Sequence, residues 1–309
     1  MRNQHLHFVK RISVLVLFLQ IYAVQAEISD KVSFDYSVGS TFGKDNNIIV
    51  EELDFTSSVG DTFLKLNAKI AGEMKIDNKN SISGSLSVTN KNYSEADAFN
   101  LRTQLLSSGY KYKGDDITFS LHYRNAQAKL GGSNFLSLKQ WSPALSFFTT
   151  KQHYFRLAYT SVEKELDDNP TRNANSNEIS TDYYYFWQGL NDYFITSAKY
   201  KKEDAQDSVF NFKSFQARFS YLKRYTIWDF SNKLSLNFRY IFKDYSEAIN
   251  PQINEFRKDT RSAIIAKHEV EIIENLDWLL EVSYTDSDSN LASIDYNEYA
   301  ISTGFTYSF

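Results

Sequence analysis

From about residue 31 onward the chain alternates apolar and polar side chains with a period of two. In the stretch from Phe230 to Lys243, Leu234, Leu236, Phe238, Tyr240 and Phe242 fall on one face, while Lys233, Ser235, Asn237, Arg239 and Lys243 fall on the other. The same pattern sets Ile82, Gly84, Leu86 and Val88 against a serine-rich face, and Ile117, Phe119, Leu121 and Tyr123 against Thr118, Ser120, His122 and Arg124. It returns at Phe155, Leu157 and Tyr159, and at Trp278, Leu280, Val282 and Tyr284. The chain ends on it: Tyr299, Ile301, Thr303, Phe305, Tyr307 and Phe309 form an apolar stripe opposite Ala300, Ser302, Gly304, Thr306 and Ser308.

The alternation predicts strands over residues 31–40, 61–75, 81–93, 98–112, 117–129, 135–149, 153–165, 177–189, 193–203, 209–223, 228–243, 258–273, 278–288 and 295–309. Connections such as Asp77 to Asn80, Lys113 to Asp116, Leu190 to Asp192 and Glu274 to Asp277 are tight, and they take turns with longer polar ones over 166–176 and 244–256. Short turns at one end and long loops at the other describe an all-β, transmembrane, antiparallel up-and-down barrel of about 14 strands. Aromatic runs at Tyr183 to Trp187 and Tyr221 to Trp228 are expected to form interfacial girdles. Two stretches fit less simply. Residues 44–60 are long for a loop and leave open a hairpin extension, an inward-folded constriction or a further strand, and Pro143 inside a predicted strand predicts a bulge or break.

The N-terminus changes the picture. Arg2, Lys10 and Arg11 precede an apolar run from Ile12, and Val24-Gln25-Ala26 supplies small residues, which predicts a signal peptide over 1–26 cleaved after Ala26, with one barrel domain over 27–309. No later segment has the roughly 18 continuous apolar residues of a spanning helix. Composition agrees: aromatic residues make up 16% of a chain whose mean hydropathy is only -0.45, so greasy and polar positions interleave. There is no cysteine, hence no disulfide framework and no thiolate chemistry. A formal net charge of -4 lacks the basic footprint of a nucleic-acid binder.

Several short motifs resemble the barrel domain of the surface lipoprotein assembly modifiers, barrels often joined to tetratricopeptide repeats. They are Arg257-Lys258-Asp259 opening a strand, Leu276-Asp277-Trp278 after a tight turn, Tyr284, Ser289-Asn290, Asp295-Tyr296 and Phe309, with Gly43 to Asn47 and Asp61-Thr62-Phe63 near the start. The resemblance implies a Gram-negative outer-membrane barrel. The helical repeats of that group have no counterpart in this sequence.

If the apolar set faces lipid, the lumen receives Lys65, Lys69, Arg102, Arg124, Arg156, Arg218, Lys233, Arg239 and Lys243, against fewer acids, of which Asp35, Glu271 and Glu281 are the clearest. Such a wall selects anions, or its charges are neutralised by loop acids such as Asp167, Asp168, Glu247 and Glu255. Tyr299, Ile301, Phe305, Tyr307 and Phe309 are expected to close the barrel and to be read by the barrel assembly machinery. Catalytic candidates are thin: His122 with Ser133 lacks a third group, His153 and His268 stand alone, and Asp286 with Asp288 reads as a solvated loop before it reads as paired acids or a Ca²⁺ site. The sequence therefore predicts no metal, no cofactor and no enzyme. It predicts an outer-membrane pore or export channel for a small or polymeric solute, with anions the class that the basic wall favours. The alternatives are a non-conducting barrel that docks a periplasmic or envelope protein, and a barrel hydrolase.

Overall fold

A computed structural model describes residues 31–57 and 59–309; the expected signal peptide lies outside the described residues. In chain order the strands are β1 (Val32–Asp45), β2 (Ile48–Val50), β3 (Phe55–Ser57), β4 (Asp61–Lys75), β5 (Asn80–Tyr93), β6 (Leu101–Lys113), β7 (Ile117–Leu130), β8 (Ser133–Thr150), β9 (His153–Leu166), β10 (Ala174–Phe186), β11 (Asp192–Ala205), β12 (Phe212–Ile227), β13 (Phe230–Asn250), β14 (Glu255–Ile273), β15 (Leu276–Ser289) and β16 (Tyr296–Ser308). All except β2 and β3 belong to one closed antiparallel barrel in which each strand pairs with its sequence neighbours and β16 returns to β1. No helix among the described residues is long and apolar enough to cross a membrane. The crossing element is the strand.

Closure follows from the terminal stripe. β1 and β16 pair from Ser37 opposite Ser308 to Asp45 opposite Ala300. Beyond the ladder, Tyr36 and Phe309 exchange both main-chain hydrogen bonds at 2.9 Å, and their rings stack with centroids 5.6 Å apart.

The alternation sorts the two faces as a lipid-embedded barrel requires. Ile70, Leu86 and Leu106 lie side by side across β4, β5 and β6. Tyr159, Ile179, Tyr200, Phe215 and Phe242 form a similar row from β9 to β13. Most of these outward side chains are exposed in the isolated chain, Leu106 at 52% and Ile179 at 56%, which only a hydrocarbon surrounding makes favourable. The aromatic run on β10 splits between faces because neighbours alternate. Tyr183 and Tyr185 point outward beside His153, while Tyr184 and Phe186 point inward against Tyr154, Phe148 and Tyr193. Only half of that run forms a girdle.

Two expectations are corrected. Residues 244–256 are not a long loop, because β13 runs on to Asn250 and β14 starts at Glu255, leaving a turn of 251–254 with Asn254 at φ 56°. Beyond the bilayer both faces of a strand are wet, so a stretch without alternation can still extend the strands, here with a register shift between Tyr245 and Asn250. Pro143 makes neither a bulge nor a strand break: β8 is continuous, and its register with β7 runs straight through Leu121 opposite Pro143. The ladder to β9 simply skips positions 142 and 143 between the pairs Trp141–Ser161 and Ala144–Ala158. Pro143 lacks the main-chain donor, and Ser142 holds Thr160 through a hydroxyl contact of 2.8 Å instead.

Candidate functional site: a charged lumen crossed by an inward hairpin

The longest connection, 46–60, settles into one of the three arrangements that its sequence leaves open. β2 and β3 pair as a small hairpin separate from the barrel sheet. Glu51, Glu52 and Leu53 form a single helical turn at its tip, closed by Asp54 in a left-handed conformation at φ 52°. The base is pinned to β16, where Tyr299 donates its main-chain N–H to the Asn46 side chain at 2.6 Å and Asn47 donates to the carbonyl of Asn297 at 2.5 Å. One apolar side packs inward: Ile48 is buried with Phe63 and Tyr93, and Phe55 stacks on Phe99 at 5.6 Å. Ile49 and Val50 look onto an apolar patch of inner wall made by Leu101, Ala126, Ala128, Leu136 and Leu138.

The acidic tip then spans the lumen. Glu52 meets Lys164 on β9 at 3.1 Å, and β9 stands six strands from β1 around a ring of fourteen. Glu51 pairs with Arg261 on β14. Asp54 receives both terminal nitrogens of Arg257, at 2.8 and 2.7 Å, and a further contact from Arg172 at 2.7 Å. Arg257 has only 2% of its side chain exposed; it also grips Asp259 and lies over the Tyr245 ring at 4.3 Å. A segment that touches β5, β9 and β14 at once can lie only inside the barrel.

These contacts set the acidity of the tip. Burial pushes the Asp54 carboxyl up, but the hydrogen bonds and charge of Arg257, joined by Arg172, overcome it and hold the group below the usual aspartate value. Glu51 is likewise pushed up by burial and brought below its usual value by Arg261 and Lys243. A depressed carboxylate favours docking above its ordinary pKa, and that preference is lost as pH falls through the depressed value. Release of the tip is therefore expected below about pH 4, read as a rise in barrel conductance on acidification from a plateau at neutral pH. A flat profile down to about pH 3 would remove the electrostatic latch.

Deeper in the lumen, one cross-strand row carries excess positive charge. Arg156, Asp182, Ser197, Arg218 and Arg239 stand opposite one another on β9 to β13. Arg156 donates to Asp182 at 3.2 Å, Ser197 donates to Asp182 at 2.6 Å, and Arg218 donates to Ser197 at 3.1 Å. One carboxylate thus serves two guanidiniums, Arg239 stands in the same row with no carboxylate within ion-pair distance among the described residues, and Arg218 Nε is buried without an acceptor.

Of the remaining sequence candidates, Lys65, Lys69, Arg124, Lys233 and Lys243 lie on the inward set of their strands. Lys233 pairs with Glu269 at 2.8 Å, and the others have no carboxylate within ion-pair distance among the described residues. Arg102 is corrected: it shares the outward face of β6 with Leu106 and stands opposite Asn90 and Lys129 on the barrel's outside, so it cannot line the lumen. Its place one residue from the strand end, beside a locally apolar inner wall, inverts the usual reading of a charged position. The loop acids Asp167, Asp168, Glu247 and Glu255 are not the partners of the wall; Asp182, Glu269 and the hairpin tip are. His122 and Ser133 are not brought together. His122 faces Ser142 and Ser133 faces Leu130 on the β7–β8 ladder, a separation of about 26 Å at ~3.3 Å per residue. His153 bonds Tyr183 and His268 bonds Asn232, each away from the other histidines. Among the described residues no cluster of His, Asp and Glu could hold a metal ion. Asp286 and Asp288 are both in β15, on its outward set.

The sequence alone missed Arg172, Arg257 and Arg261 as the tip's partners. A signal was present, since the inner positions Leu101, Ala126, Ala128, Leu136 and Leu138 break the polar rule for a lumen wall and mark where something packs inside.

Fold and lumen together define a closed fourteen-stranded transmembrane barrel of the outer-membrane type, with a hairpin folded into one mouth. Solved structures of that class are similar to it. An anion-selective porin from Comamonas acidovorans matches with a TM-score of 0.53 and 6% identity over 90% of this chain and 99% of the porin. OmpT in trimer form, an outer membrane protein of Vibrio cholerae, matches at 0.52 and 6% over 91% of this chain and 100% of that one. CdiB from Acinetobacter baumannii matches at 0.51 and 11%, over 92% of this chain and 61% of CdiB. No family model and no curated protein matches. The likeness is one of fold, to outer-membrane barrels at large, and it does not single out the assembly-modifier barrels.

Proposed function

We propose that this chain is a bacterial outer-membrane channel for small anionic solutes, entered past the inward hairpin. The observation that carries the reading is the mid-lumen row in which Arg156 and Arg218 share the single carboxylate of Asp182 while Arg239, next in the row, has no carboxylate within ion-pair distance among the described residues. Surplus guanidinium charge on a wetted wall lowers the barrier for anions and raises it for cations. Lys65, Lys69 and Arg124, without carboxylate partners, extend the same bias along the wall. Planar-bilayer recording of the refolded chain across a salt gradient tests this. Steady openings with an anion-directed reversal potential are expected, and R218Q/R239Q should move that potential toward cations. A cation-directed reversal potential would overturn the reading.

The hairpin itself favours a second reading, a non-conducting barrel that docks an envelope or periplasmic partner. Liposomes bearing folded barrel separate the two: leakage of a small anion supports the channel, and tight vesicles support the docking barrel. In either case the outward apolar belt seats the chain in outer-membrane lipid, and the terminal strand ending at Phe309 is the segment offered to the barrel assembly machinery.

A further inference from the structure

Four cations converge on the hairpin tip, and they do not behave as a set that exists only to balance the wall. With the tip withdrawn, Lys164 would still hold Glu203, at 2.5 Å, and Arg257 would still hold Asp259, at 2.9 Å. Arg172 and Arg261 would lose the only carboxylates they contact among the described residues. Arg261 Nε is already buried without an acceptor. Beside the tip lies a cavity of 240 Å³ lined by the tip carboxylates, by Lys164, Arg172 and Lys243, and by Lys199 and Lys201, which the wall acids Glu178 and Glu203 hold at 2.9 and 2.7 Å; it has room for roughly eight waters at about 30 Å³ each. Lys243 has no carboxylate partner there and sits 5.1 Å from the Phe212 ring.

The hairpin has anchors at its base apart from the charges of its tip. Its base is held by the Ile48, Phe63 and Tyr93 cluster and by the asparagine contacts to β16. Three carboxylates within four residues are therefore placed on a cation cage whose guanidinium forks match oxyanions in general, Arg257 taking both oxygens of Asp54.

We propose that this cage is a binding site for a compact multivalent oxyanion, with phosphate or carboxylate groups spaced as in the Glu51–Asp54 tip, and that the tip is the built-in anion such a ligand displaces. The inference rests on reading the lumen as a solute path, and it names the solute class and the way the mouth responds. A docked tip competes with the ligand, so the apparent affinity is reduced by the fraction of molecules in which the tip is away.

Calorimetric titration of sodium tripolyphosphate into the refolded full chain in detergent micelles tests the exchange. Each protein's fold is checked by circular dichroism and by its gel shift on heating. E51Q/E52Q/D54N should bind about tenfold tighter than the unaltered chain, because the internal competitor is gone. E51Q alone should tighten binding by a few-fold and serves if the triple variant does not fold. Adding R172Q/R261Q should abolish the gain. Equal or weaker binding by the tip variants, or a gain indifferent to R172Q/R261Q, would overturn the proposal. No current is needed, so a barrel silent in bilayers that shows the exchange keeps the site and loses only the channel reading. A conducting barrel without the exchange does the reverse.

Discussion

Replacing residues 48–57 by a two-residue glycine turn should raise single-channel conductance about threefold, a magnitude set by the size of the ring. With strands about 4.8 Å apart and tilted about 40°, fourteen of them enclose a backbone ring about 28 Å across. Inward side chains leave a lumen of much smaller width, and a two-stranded hairpin with its side chains takes up about 10 Å of it. The tip reaches Lys164 on the far side, so the hairpin divides the mouth instead of lining it. Conductance unchanged by the excision, in protein whose barrel remains folded, would show that the narrowest point lies elsewhere. The opposite manipulation is clean in this chain, which has no cysteine. Joining E52C to K164C with a short thiol-reactive linker should lower conductance, and a reducible linker should restore it on reduction.

Most of the barrel was legible because one physical rule governs it. A strand between lipid and water must alternate, and each of the fourteen barrel strands carries that alternation somewhere along its length, as in Leu234 to Phe242 on β13 and Tyr299 to Phe309 on β16. Legibility failed where a rule has two environments to satisfy. Outside the bilayer a strand no longer needs to alternate, so 244–256 reads as a loop although β13 and β14 take up all of it except the turn at 251–254. Near the rim a charge can face outward, as Arg102 does, so its charge alone points to the wrong side. Inside the mouth an apolar wall is allowed because the hairpin covers it, so Leu101, Ala126 and Leu136 looked like irregular strand and not like a docking surface. The lumen row was partly readable. Parity put Arg156, Arg218 and Arg239 on one face, but their alignment depends on register, which no single strand specifies.

Gly304→Val should cost the barrel most or all of its folded form, while Gly84→Ala should leave it unaffected. Both glycines sit in barrel strands on regular backbone, so the contrast is one of space and not of conformational freedom. A Cβ at Gly304 would run into the carbonyl oxygen of Ser40 and meet the Cα of Thr41 at 2.7 Å, main-chain atoms of β1 that cannot swing aside. A Cβ at Gly84 would find only the carbonyl of Ser107, at an ordinary 3.8 Å. Gly304 stands opposite Thr41 at the seam where β16 returns to β1, the pairing that closes the ring. Overpacking in an ordinary core costs about 1–3 kcal/mol because side chains can repack. At the seam the only relief is to part the two strands, which leaves unpaired main-chain groups facing hydrocarbon at several kcal/mol each. The measurement is the fraction of refolded protein that migrates as the compact, heat-sensitive species on a gel, followed through a urea series. A normal fraction for the Gly304 variant would mean that β1 and β16 do not approach as closely as the closed ring requires. Loss in both variants alike would point to strand glycines in general rather than to the seam.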